Sequence, residues 1–431
     1  MHYLHAVYAF LVATAVAALL TPFAGRLARR VGAVALPSDR GLARKPTPEM
    51  GGLAILIAVL LAALIWLPDK IPLAQAAHSK AGSAGFVHTW TVLAGGVLIA
   101  LIGALDDAFD LHPLIKLLGQ IAAAIIAAAG GVLINSLTLP FIHGLQFTDA
   151  AGPLSVIWLV VLMNIVNLSD GLDGLAAGVC AIDGAAFALI AFNLQGGGSD
   201  AAVLAAITSG ASLGFLFHNR YPASIFMGDT GSLLLGYLLG VAAIIGSLKT
   251  TSVVALALPL LILAVPFLDT GFVVAKRLKY RRKVWKADAN HFHHRMARIG
   301  FSERRTVAYL YAWTLMLAGV ALALRFVPWS NHHDHYYLGW SIVMGVILLF
   351  ALVASVYLVY VLEIFKFKSL RTIQLRKVDP DTSEHDIVKS VERDIETGEF
   401  DAIRDAQADE SAAGNEPAPE DEQPDDEEPE Q

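Results

Sequence analysis

The chain has 431 residues, 56% hydrophobic and 16% charged, where a soluble domain has about 45–50% and about 25%. Its net charge of −7 hides two parts: Val378–Gln431 holds 21 of the 38 acids and 3 of the 31 bases, which leaves 17 acids and 28 bases in the first 377 residues. An apolar, basic body with an acidic tail excludes an ordinary soluble enzyme and a nucleic-acid binder, and a lone Cys180 excludes a disulfide framework or a cysteine-based metal site.

A helix crosses the hydrocarbon core of a bilayer with about 20 apolar residues. In chain order such runs fall near residues 3–25, 50–67, 89–105, 114–134, 153–168, 172–193, 200–217, 230–248, 252–275, 307–328 and 338–365. These 11 runs predict an all-α polytopic membrane protein embedded in the lipid bilayer. Several are rich in Gly and Ala, which lets helices approach closely in lipid. The first run lacks the basic flank and cleavage site of a signal peptide and reads as a span.

Lys and Arg in the loops predict orientation. With the N-terminus outside, the inside loops carry 24 of them: Arg26 to Lys45, Lys116, Arg220, a cluster from Lys276 to Arg305 and another from Lys366 to Lys377. The outside loops carry only Lys70, Lys80, Lys249 and Arg325. An odd number of spans then puts the C-terminus in the cytoplasm. Residues 1–365 read as the transmembrane domain, and 366–431 as a basic-then-acidic tail. The tail is too poor in apolar side chains to offset its ordering entropy and is expected to be disordered.

Carboxylates near a span are costly and usually mark function. Here they gather on the inner side. In the segment 103–120, Asp106, Asp107 and Asp110 would share a helix face, and Lys116 follows. Adjacent anions on one face call for a cation between them. Next, Asn164, Asn167, Asp170 and Asp173 recur every third residue between two spans, a set of oxygen donors that suits a hard cation such as magnesium. The segment 226–236 opens a helix at which Asp229 or Thr230 can serve as N-cap and exposed amides favour an anion. In the basic loop, His291, His293, His294 and Arg295 match zinc spacing poorly and suit sugar hydroxyls and phosphate oxygens better. Asp183 stands alone in its span, where a hydrogen-bonded structural role is expected.

These segments, in this order, resemble the polyprenyl-phosphate N-acetylhexosamine-1-phosphate transferase family (the WecA/MraY type) over roughly residues 1–365. The resemblance implies a multi-helix membrane fold with a cytoplasmic active site. It implies transfer of a sugar-1-phosphate from a UDP-sugar to a polyprenyl phosphate, with magnesium, or manganese in its place, and release of UMP. The order His291, Phe292, His293, His294 is similar to the branch using UDP-N-acetylglucosamine, rather than to the lipid I synthases with three consecutive histidines. That branch implies undecaprenyl phosphate as acceptor, the inner (plasma) membrane as location and cell-envelope polysaccharide synthesis as the setting; a homodimer is left open.

By the same resemblance Asp229 and Asn167 are metal ligands, and Asp106, Asp107, Asp170 and Asp173 are catalytic, the first two at the lipid phosphate and the others at the nucleotide. Asn164, Lys116, His291, His293, His294 and Arg295 bind substrate, and Asp269 supports the site. One loop departs from the family pattern: Ala35, Gly41 and Ala43 stand where an Asp, a Lys and a His are usual. The alternatives are another UDP-N-acetylhexosamine as donor, or a secondary transporter. A transporter would place ionisable groups near the midplane and show inverted repeats, neither of which is seen.

Overall fold

A computed structural model describes residues 2–36, 45–72, 86–139, 142–147, 149–192, 198–246, 302–327 and 337–355, with six further positions between 260 and 268. Ten helices occupy the apolar runs among these residues. They are α1 (His2–Val31), α2 (Gly52–Trp66), α3 (Thr89–Phe109), α4 (Pro113–Ala129), α5 (Ala151–Ser169), α6 (Leu175–Phe192), α7 (Gly198–Asn219), α8 (Gly228–Gly246), α9 (Glu303–Phe326) and α10 (Leu338–Ser355). Eight are long and apolar enough to cross a membrane, whereas α2 and α4 have only 15 and 17 residues. Helix α4 ends earlier than its apolar run because Gly130 and Gly131 follow, the latter at φ +100°, and the chain then turns into a strand. Most of the expected span 252–275, Asp269, the whole histidine loop and the tail lie outside the described residues.

The fold is mostly helical, but not wholly so. Three antiparallel two-stranded ribbons close loops between helices: β1 (Val34–Ala35) with β2 (Thr47–Pro48), β3 (Lys70–Pro72) with β4 (Phe86–His88), and β5 (Ser136–Leu139) with β6 (Ile142–Gln146). Backbone groups leaving the helices find partners in one another there.

Helix α8 is the axis of the arrangement and packs against α2, α3, α5, α6 and α7. It is apolar all round, as a helix enclosed on every side must be, and Thr230 through Gly246 are buried without interruption. On the face toward α5, Gly236 and Gly240 let the backbones touch: a Cβ on Gly236 would lie 2.6 Å from the Leu162 carbonyl oxygen. The pairing of α1 with α7 uses the same device. Ala6, Ala9, Ala13, Ala17, Ala24 and Ala28 form a buried stripe on α1. Added Cβ atoms on Gly210 and Gly214 of α7 would sit 2.3 and 2.2 Å from carbonyl oxygens of α1. Small residues replace the hydrophobic drive that lipid does not supply. In α6, Asp183 is fully buried, and among the described residues neither of its oxygens has a hydrogen-bond partner, contrary to the expected structural bond.

Candidate active site

Helix termini bring the polar residues of distant segments to one end of the bundle. Helix α3 delivers Asp106 and Asp107 in its last turn, α4 delivers Lys116 in its first, and α5 delivers Asn167 and then Asp170 as its C-cap. Asp173 lies in the turn to α6, Asp229 in the first turn of α8, and Glu49 just before α2.

The start of α8 is held from outside. Asp107 Oδ1 accepts the Asp229 amide at 2.7 Å, and its Oδ2 accepts the Thr230 amide at 3.2 Å and the Thr230 hydroxyl at 2.5 Å. The expected N-cap, Asp229 or Thr230, is therefore corrected: the cap comes in trans from α3. Gly228 makes room for it, with φ +70° and a hypothetical Cβ only 2.3 Å from Asp107 Oδ2. Asp110 does not continue the face of Asp106, because the helix stops at Phe109 and Asp110 turns left-handed at φ 50°.

The segment before α2 docks by its backbone. Phe226 N–H donates to the Pro48 carbonyl at 2.9 Å, and the Gly51 and Gly52 amides donate to Phe226 and Met227 at 3.0 Å each. Gly52 lies so near α8 that a Cβ would be 2.1 Å from the Gly231 nitrogen. This docking sets Glu49 on the cavity wall. On the far wall, buried Asn219 accepts from the Gly174 amide at 3.0 Å and donates to the Ile225 carbonyl at 3.0 Å. Asp173 Oδ2 accepts the Ala223 amide at 2.8 Å, and Tyr311 of α9 donates to the Gly174 carbonyl at 2.5 Å.

These elements enclose a cavity of about 940 Å³ lined by seven carboxylates, Glu49, Asp106, Asp107, Asp110, Asp170, Asp173 and Asp229, with the amides of Asn167 and Asn219. Leu36, Phe109 and Phe226 add apolar wall. One oxygen from each of Asp106, Asp107 and Asp229 lies within 4.8 Å of the others. The Lys116 ammonium sits between two of them, 2.9 Å from Asp106 Oδ2 and bonded to Asp229 Oδ2. Asn167 Nδ2 donates to Asp229 Oδ1 at 2.7 Å and to the Ser232 hydroxyl at 2.9 Å.

So many anions raise the cost of ionising each one. Burial first, and then the charges of Asp229, Asp107, Asp173 and Glu49, push the Asp170 carboxyl up to about 8. Burial and then Asp229 and Asp106 raise Glu49 as well. An all-oxygen carboxylate set suits a hard divalent cation, and the ammonium lodged there marks the place where positive charge is stabilised.

Of the residues expected at the site, Asp106, Asp107, Asn167, Asp170, Asp173 and Asp229 line the cavity, and Lys116 reaches its carboxylates. Asn164 does not line it. Its Nδ2 donates to Gln120 Oε1 of α4 at 2.6 Å and to its own helix at Val160. His291, His293, His294 and Arg295 lie outside the described residues. Two residues here escaped the sequence reading. Glu49 stands in a segment whose prolines and glycines draw the eye. Asn219 follows an apolar run as an isolated amide, with no local pattern to single it out.

A helical multi-pass membrane protein with a carboxylate-lined cavity where helix ends converge has the form of a membrane-embedded transferase. Residues 89–247 match the glycosyl transferase family 4. The chain is 34% identical over 324 residues to a probable undecaprenyl-phosphate N-acetylglucosaminyl 1-phosphate transferase of Bacillus subtilis, covering 74% of this chain and 85% of the relative. It is 36% identical over 368 residues to a decaprenyl-phosphate N-acetylglucosaminephosphotransferase of Mycolicibacterium smegmatis, covering 79% and 86%. With a phospho-N-acetylmuramoyl-pentapeptide-transferase of Desulforamulus reducens it shares 33% identity over 311 residues, 68% and 86% of the two chains. The chain belongs to this family of polyprenyl-phosphate N-acetylhexosamine-1-phosphate transferases.

Proposed function

We propose that the protein transfers N-acetylglucosamine-1-phosphate from UDP-N-acetylglucosamine to undecaprenyl phosphate and releases UMP, on the cytoplasmic side of the plasma membrane. The observation that carries this reading is the meeting of Asp106, Asp107 and Asp229 around one point at the end of the bundle. The relatives named for N-acetylglucosamine phosphate transfer and the His291, His293, His294 order support the sugar. The distribution of Lys and Arg supports a cytoplasmic site, an outside N-terminus and 11 spans.

The acceptor is a phosphate monoester with a second pKa of about 6, so it is mostly dianionic at neutral pH. Its oxygen attacks the sugar-bearing β-phosphorus, the bond from that phosphorus to the bridging oxygen breaks, and UMP leaves carrying the electron pair. A bound magnesium ion supplies charge neutralisation for the phosphates. Asp229 and Asp106 would hold it, and Asn167, expected from the sequence as a ligand, would instead orient Asp229 through its amide, which donates to Asp229 Oδ1. Asp107 acts by fixing the start of α8, since both of its oxygens already accept bonds from that turn. A strong base is not needed for a dianion. Asp170 and Asp173 face the nucleotide. His291, His293, His294 and Arg295 hold the sugar and diphosphate. Asn164 ties α5 to α4.

The test is purified protein in detergent with magnesium, undecaprenyl or decaprenyl phosphate, and a panel of UDP-sugars, scored by UMP release. UDP-N-acetylglucosamine is expected to be the preferred donor, because a site built to bond an acetamido group leaves buried polar groups unpaired with a sugar lacking one. Preference for UDP-N-acetylmuramoyl-pentapeptide would overturn the sugar, and no UMP release from any donor would overturn the reaction.

A further inference from the structure

The Lys116 ammonium and a divalent cation compete for the same atoms. Asp106 Oδ2 and Asp229 Oδ2 both bond Lys116 Nζ, and both carboxylates belong to the cluster that converges within 4.8 Å. Among the described residues no other cation bonds either of them. Besides their contact with each other, the two carboxylates accept from neutral groups: the Leu111 amide on Asp106 Oδ1 and the Asn167 amide on Asp229 Oδ1. Those contacts fix the carboxylates from behind and leave the two Oδ2 atoms facing the ammonium.

We propose that Lys116 is an internal placeholder for the metal, displaced when the ion binds and thereby released to the phosphate of the incoming substrate. The proposal rests on the metal reading of the site given above. Three features favour exchange over a permanent ion pair. Lys116 stands in the first turn of α4, after Pro113 and the His112 cap, so its backbone is fixed while its four-carbon stem can swing. Its side chain keeps partial solvent access, at 24% relative exposure, so release does not require repacking. A divalent ion offers two charges where the ammonium offers one, and it bonds carboxylate oxygens at about 2.0–2.1 Å, which an ammonium cannot share at the same point. The consequence is an order of events. In the metal-free protein the carboxylates hold the lysine and would repel a diphosphate. With the ion bound, the same cavity presents both the ion and a freed ammonium, and anionic substrates follow.

The experiment measures Mn2+ binding by electron paramagnetic resonance on the full-length protein in detergent, with magnesium as competitor. Lys116→Met removes the internal competitor, so Mn2+ should bind about fivefold tighter than to wild type, the upper end of the range for a partly exposed ion pair. Lys116→Arg keeps the charge and should stay near wild type. The wild-type protein gives an independent readout: acetylation of Lys116, mapped by mass spectrometry, should rise on adding magnesium while that of Lys70 does not. If the wild type binds no Mn2+ at millimolar concentrations, the metal reading fails and the exchange falls with it. If the wild type binds Mn2+ but Lys116→Met binds it equally or more weakly, the exchange alone is overturned. Unchanged or reduced acetylation of Lys116 in the presence of magnesium overturns it as well.

Discussion

Asp107 Oδ1 accepts the backbone amide of Asp229 at 2.7 Å, across 122 residues of sequence. One carboxylate of the cluster thus places another. A cap on the first amides of a helix is worth about 1 kcal/mol, with a range of about 0.5–2. Asp107→Asn, which turns one acceptor into a donor facing the Thr230 amide, should therefore lower stability by about 1–2 kcal/mol. It should also weaken Mn2+ binding at Asp229. Thermal unfolding and metal titration of the same variant check both; full metal affinity in a destabilised protein would separate the cap from the site.

Asp229→Asn should reduce turnover by about a hundredfold or more while the protein still inserts and purifies, since it removes a charge from the proposed metal position. Steady-state UMP release at saturating magnesium is the measurement. Near-normal turnover would remove Asp229 from the mechanism.

Gly52→Ala would drive a methyl group against the Gly231 nitrogen, at 2.1 Å. Backbone on both sides cannot yield easily, so a loss of about 1–3 kcal/mol is expected, as for overpacking elsewhere. Activity should fall with it, because Gly231 lies two residues from Asp229. Gly339→Ala meets nothing within 4 Å and serves as the control, with an unchanged unfolding temperature.

The pH dependence follows from Asp170. Its carboxyl is pushed up to about 8 from an ordinary 3.8 by burial and neighbouring charge. A raised folded pKa means that the native state binds the proton more tightly than the unfolded chain. The contribution is full below the unfolded value and is lost as pH rises through the folded one. Metal-free wild type should lose unfolding temperature between about pH 4 and pH 8 more steeply than Asp170→Asn, which has no such proton to lose. Parallel pH profiles for the two would show that Asp170 ionises freely in the fold.

Much of this architecture is legible in sequence because lipid imposes it. Among the described residues apolar runs of span length mark helices at ten of the 11 expected places, and the carboxylates of the site, unlike Asp183 inside α6, fall at helix ends, where the cavity lies. What the sequence hides are long-range partnerships. Periodicity near Asp106 and Asp107 cannot reveal that one faces a lysine and the other caps a helix beginning at Gly228. Asn164 repeats the spacing of Asn167 and Asp170, yet one turn deeper it meets Gln120 instead of the cavity. Asp110 fits an ideal helical face until its left-handed backbone ends the helix. The short ribbons escape notice because strands of two to five residues carry little pattern.

Helix α8 is enclosed by five neighbours and carries Asp229 at its tip. Membrane helices insert separately and associate afterward, so this aspartate reaches its partners only once α3, α5 and the segment before α2 have closed around it. Partly assembled protein has no point at which the three carboxylates converge. Half-built copies therefore lack the point at which the carboxylates could hold a metal, and fragments split within the α2–α8 region should regain it only by reassembling these helices.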